Sequence, residues 1–141
     1  MSRIEELKRQ CRKTITEEFG KVSIDDDDDL FLELEHGILY VICKQADDND
    51  DESDLYIDLF SVLARDLNES SSIIRWVNDH NHSHRIGKVY SVDHGDERKT
   101  GIYFSYVSLV VNNQLDNLNE HIMYAAGTID DAVPEINEKF R

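Results

Sequence analysis

Proline occurs once in this chain of 141 residues, cysteine twice and glycine six times. So few breakers and cross-links exclude a Gly/Pro-rich low-complexity chain and a secreted disulfide framework. Basic residues are also scarce, 15 against 30 acidic ones, giving a formal net charge of −15. That charge repels nucleic-acid phosphates and anionic membrane surfaces, so neither is an expected partner. The only basic cluster, Lys8 to Lys13, lies among Glu5, Glu6 and Glu17 and reads as a solvated helix face. No apolar run approaches the roughly 20 residues of a membrane span, and no charged-then-apolar leader opens the chain. Cys11 and Cys43 each sit in an apolar register, where a free thiol behaves as a small hydrophobe. A reducing cytoplasm is the expected setting.

What is present is an ordered series of apolar patterns, with 40% hydrophobic residues against 32% charged. A chain of this size can bury roughly 68% of its unfolded surface, so one domain over 1–141 is expected. Ile4, Leu7, Cys11, Ile15 and Phe19 recur at helical spacing, with Ser2 as N-cap and Gly20 as stop. The Asp25–Asp29 run cannot pack and reads as a solvated turn. Phe31–Leu34 and Ile38–Cys43 flank Glu35-His36-Gly37 as a hairpin, in which Gly37 is expected to supply a positive φ. The Ile38–Cys43 strand is apolar on both parities, which predicts cover on both faces, by helices or by a partner.

After a second acidic loop at Asp47–Asp54, a third strand runs from Leu55 to about Arg65. Ser70–Ser72 offers N-caps for a short helix from Ile73 to about His80, carrying the only tryptophan, Trp76. Val89–Val92 and Gly101–Val111 form a second hairpin around His94–Arg98, closed by Asn112-Asn113. A helical stripe then runs from Leu115 to Phe140, with a kink or break expected at Pro134. The fold class is α+β: an antiparallel sheet of about five strands with three helices, ordered α-β-β-β-α-β-β-α.

Chemistry-bearing motifs are sparse. His80, His82 and His84 form the one histidine cluster, and imidazole is the commonest protein metal ligand. On a helix, His80 and His84 share a face while His82 points away, so a polar connection is the reading and no metal or other cofactor is expected. The aspartate runs lack the spacing residues and turn glycine of a calcium loop. No Gly-x-Ser-x-Gly elbow and no Gly-rich phosphate loop occurs. No catalytic residue is nominated, and no enzymatic activity is expected.

The element order resembles that of the YbjN family and the class I type III secretion chaperones. The matching pieces are Leu30–Leu34 with the His36-Gly37 turn, Ile38–Cys43, the third strand leading into Ile73–Asn78, Val89–Val92, and the closing helix after Asn113. The resemblance covers nearly the whole chain and rests on order and apolar pattern rather than a signature motif. It implies a five-stranded antiparallel sheet with three helices, often dimeric, that holds extended segments of partner proteins.

The expected function is therefore a non-enzymatic protein- or peptide-binding module, chaperone-like or regulatory. Trp and Tyr are favoured at interface centres because they bury large areas yet keep a polar handle. Ile73, Trp76, Val77, Leu39, Val41, Tyr103 and Tyr106 are the candidate partner-binding or dimer-contact residues, and a homodimer is expected. Two alternatives stay open: an acidic regulatory protein that mimics nucleic acid, and a metal-dependent enzyme built on His80, His82 and His84.

Overall fold

The computed structural model describes residues 1–112 and 114–141; Asn113, assigned above to the hairpin closure, lies outside them. The first helix, α1 (Arg3–Phe19), begins at a capping box in which the Ser2 hydroxyl accepts from Glu5 N and the Glu5 carboxylate accepts from Ser2 N. It stops at Gly20, which takes the left-handed conformation at φ 81°. Both ends follow from the backbone groups a helix leaves unpaired. Leu7, Cys11 and Ile15 form its buried stripe.

Four strands follow: β1 (Ser23–Ile24), β2 (Leu30–Glu33), β3 (Ile38–Gln45) and β4 (Leu55–Asn68). The short helix α2 (Ser71–Ser83), β5 (Lys88–Asp93), a 3-10 turn at Gly95–Glu97, β6 (Lys99–Val110) and α3 (Leu118–Phe140) complete the chain. All strand pairs are antiparallel, in the spatial order β1-β2-β3-β4-β6-β5. The α+β expectation holds, with a sixth strand added. That strand is β1, whose two residues are too short to leave an alternating pattern.

Four local expectations need correction. Gly37 does not take a positive φ; its missing side chain makes room for the Ile129 methyl of α3, which a Cβ would meet at 3.0 Å. Helix α2 starts at Ser71, capped by the Ser70 hydroxyl, and runs three residues past His80 to Ser83. Helix α3 passes through Pro134 unbroken, because Ile129, Ala132 and Ile136 on its buried face hold both sides of the proline against the sheet. The acidic runs are also more ordered than bare solvated charge. Asp25 Oδ1 accepts from Asp27 N and Asp29 N, Asp47 Oδ1 from Asn49 N, and Asp50 Oδ1 from Glu52 N. These are aspartates shaping their own turns.

The three helices lie on one face of the sheet. Leu39 and Val41 of β3, Ile57 and Leu59 of β4, and Ile102 and Phe104 of β6 meet the buried stripes of the helices in one core. The two thiols meet there too, with Cys11 Sγ 3.8 Å from Cys43 Sγ. The neighbouring Cys43 thiol and burial push the Cys11 thiol far above its ordinary range, so it is a packing group and not a nucleophile. The expected cover of β3 on both faces is met by helices on one face only. Its Leu39/Val41/Cys43 parity is buried, while Ile38, Tyr40 and Ile42 face away from the helices and stay partly or largely exposed.

Candidate functional site

The helix-free face of the sheet is where unpaired apolar surface collects. Side chains alternate along a strand, so one parity of every strand projects onto this face. The registers Phe31↔Tyr40, Tyr40↔Phe60 and Tyr90↔Tyr103, with a diagonal step from Phe60 (opposite Ser105) to Tyr103 (opposite Val62), bring together one aromatic residue from each of β2, β3, β4, β6 and β5, in spatial order. Ring centroids are 6.0 Å apart for Phe31–Tyr40, 6.5 Å for Tyr40–Phe60, 6.1 Å for Phe60–Tyr103 and 5.5 Å for Tyr103–Tyr90. Each spacing lies within the favourable range for aromatic pairs. The row crosses five strands, roughly 19 Å at ordinary strand spacing, and all five rings are half-buried. Ile42 and Val62 flank it, and the exposed Ile38, Val107 and Leu109 extend it.

Polar groups on this face include the exposed Glu33, Lys44 and Lys88 and, between the rings, Asp58 and Ser105. Asp58 accepts a 2.6 Å hydrogen bond from the Ser105 hydroxyl. Burial, with the charge of Asp58 and neighbouring Tyr103, raises the Tyr90 phenol above its ordinary value. The Tyr103 ring leans along its own strand over Gly101, where any Cβ would collide with it. A glycine beneath an aromatic ring leaves that ring flat against the sheet.

The candidate residues named from sequence scatter over the fold. Tyr103 stands in the aromatic row. Leu39 and Val41 are 0% and 1% exposed, beneath the helices. Ile73, Trp76 and Val77 are likewise buried, at 1%, 7% and 8%. Trp76 donates its indole N–H to Glu135 Oε1 of α3 at 2.8 Å and packs edge-on against Phe140. That hydrogen bond, assisted by Lys139, holds the Glu135 carboxyl below its usual range. Tyr106 is half-buried on the helix side, with its ring 4.9 Å from that of His121. Phe31, Tyr40, Phe60 and Tyr90 were not named from sequence. Their signal is chemical: on β3 and β4 one parity is aliphatic (Leu39, Val41, Leu55, Ile57, Leu59) and the other carries the aromatics (Tyr40, Tyr56, Phe60).

The histidine cluster has a geometry of its own. The His80 and His84 rings stack with centroids 3.9 Å apart and planes 6° from parallel. Metal ligation uses lone pairs in the ring plane, and two stacked, nearly parallel planes do not meet near the rings, so one metal cannot lie in both. Among the described residues, no group of three or more His, Cys, Asp or Glu is arranged to hold a metal. Burial and the neighbouring His84 lower the His80 pKa, against a smaller opposite pull from Glu135. Its folded pKa thus lies below its unfolded value, so the unfolded chain binds the extra proton more readily. Stability from this group is present above about pH 6.5 and is lost as pH falls through the lowered value. Thermal melts from pH 8 to 5 should show that loss, and His80→Gln should flatten it; identical slopes in both proteins would contradict the assignment.

A family model for the peptide-binding chaperones of type III secretion (YopN, CesT) and YbjN, TY-Chap1, matches residues 5–135. The chain belongs to this family. The crystal structure of YbjN from E. coli is similar over 94% of this chain and 93% of that one, with a TM-score of 0.59 and 11% sequence identity. At that identity the likeness is one of fold. No curated protein matches the chain. Membership agrees with the resemblance read from the element order, and it makes a protein- or peptide-binding chaperone-like module the function class. Among the described residues, no helix is long and apolar enough to cross a membrane.

Proposed function

We propose that the chain binds an extended segment of a partner protein on the helix-free sheet face, without turnover, and that the aromatic row is the contact surface. The observation that carries this reading is the row itself: five half-buried rings on the sheet face that no helix covers. Flat aromatic rings offer large contact area at low entropic cost, and an extended peptide crossing them would meet one ring per strand. Tyrosine hydroxyls leave the surface wettable when empty. The test is peptide titration of the wild type and Phe60→Ala, the central ring. Loss of about 2 kcal/mol of binding energy, near 30-fold in affinity, is expected for such an anchor. Unchanged affinity across the peptides that bind would overturn the row as the contact.

The same proposal includes a homodimer through the outer face of α2. Two copies of net charge −15 repel, and that repulsion is weak at α2, since residues 71–85 carry Arg75 and Arg85 against Asp79 alone. Ile74 is 56% exposed on that face, whereas Ile73, Trp76 and Val77 point inward. Light scattering at tens of micromolar should give twice the chain mass, and Ile74→Lys should halve it. A monomeric wild type would remove this part of the proposal.

A further inference from the structure

Strand β6 outruns its neighbour. Strand β5 pairs with β6 only from Thr100 to Ser105, ending at Lys88↔Ser105, whereas β4 stays paired with β6 as far as Val110. From Tyr106 to Val110 the outer edge of β6 therefore has no strand beside it, and no other backbone hydrogen bond reaches these five residues among those described. Alternate residues there must direct N–H and C=O groups outward. Exposed strand edges are ordinarily protected by charge or proline, yet Tyr106-Val107-Ser108-Leu109-Val110 has neither. Instead Val107 and Leu109 are 56% and 64% exposed on the aromatic-row face. On the opposite face, a hollow of about 170 Å³ opens between Ser108, Val110, Leu115 and His121.

We infer that an extended segment of a partner adds to β6 as a seventh strand along Tyr106–Val110, and that this segment alternates apolar with basic residues. Backbone pairing supplies registration, and the apolar rows on either face supply pockets for alternate side chains. The basic character follows from charge. The Asp47–Asp54 loop joins β3 to β4 at the end of the sheet where Leu55 pairs with Val110, and Asp116 lines the hollow. Asp58 pairs with Val107 across the strands. Lys88, paired with Ser105 where the open edge begins, and Lys44, paired with Tyr56, are the basic residues near this edge, outnumbered by the acidic loop, Asp58 and Asp116. A second copy of this chain at the same edge would bring another −15, which disfavours self-pairing there. The inference rests on the peptide-binding reading and adds a second contact to it, since a strand along β6 runs across the direction of the aromatic row and engages a different stretch of the partner segment.

The test uses the full chain and nine-residue peptides alternating Val or Leu with Arg, Ser or Asp. The Arg series should bind at least tenfold more tightly than the Asp series. N-methylation of alternate peptide amides should weaken binding at least tenfold in one phase and little in the other, because only one set of amides faces β6. Val107→Lys with Leu109→Lys should weaken the Arg peptides to a similar extent at an unchanged melting temperature. Equal binding of both N-methylated series, or no preference for Arg over Asp, would overturn strand addition. If binding then still falls with Phe60→Ala, the aromatic face stands and only the edge inference fails. If no peptide of any series binds, both fail. A dimer abolished by Leu109→Lys would place a second copy on the edge and overturn the peptide as its occupant.

Discussion

Trp76→Ala should cost about 3–5 kcal/mol of folding stability, the range for truncating a buried large aromatic side chain. Trp76 is 7% exposed, packs edge-on against Phe140 and donates to Glu135. Its removal leaves a void between α2 and α3 and strips the Glu135 carboxylate of its indole donor. The Glu135 pKa should accordingly rise toward its ordinary value, a change readable by NMR titration. Chemical denaturation gives the stability loss directly. Because the residue lies under the sheet and not on the aromatic row, peptide affinity should be unchanged wherever the variant remains folded. A stable variant with weakened peptide binding would return Trp76 to the role first read from its type alone.

Gly87→Ala should be the most damaging single-methyl addition, costing about 2–4 kcal/mol from backbone strain and overpacking together. Gly87 sits at φ +78°, where an L side chain is strained, and a Cβ there would fall on the edge of the Phe104 ring. Phe104 is 1% exposed and among the largest fully buried side chains, so the ring cannot swing into solvent. The left-handed turn that glycine permits at this position leads the chain into β5, and hence bears on the place of Tyr90 in the row. Denaturant melts should show the loss, whereas Gly95→Ala, with open space around its Cβ position, should cost far less. Equal costs at the two positions would contradict the packing argument.

These two residues also mark what was legible in the sequence. Helical spacing located α1 and α3, and Ser2, Gly20 and Ser70 were readable as caps because capping is local chemistry. The hairpins and the α+β order followed from runs of apolar residues between turn residues. What a single strand cannot reveal is which parity meets the helices, because that depends on partners distant in sequence. On β3 both parities are apolar, and Leu39 and Val41 were named as contacts although they lie in the core, while Tyr40 and Ile42 lie outside it. Trp76 posed the same ambiguity on a helix: its size suits a core and an interface equally. The aromatic row was out of reach for a related reason. Its five rings come from five strands, and only the pairing register brings them together.

The central claim is that a partner segment lies across the helix-free face, and site-resolved NMR of the peptide-bound chain tests it most directly. On titration with a binding peptide, the ring signals of Tyr40, Phe60, Tyr90 and Tyr103 and the methyl signals of Ile42, Val62, Val107 and Leu109 should shift together and saturate at one peptide per chain. Saturating shifts confined to the outer surfaces of α2 and α3, at Ile74 and Met123, with the aromatic signals unmoved, would contradict it.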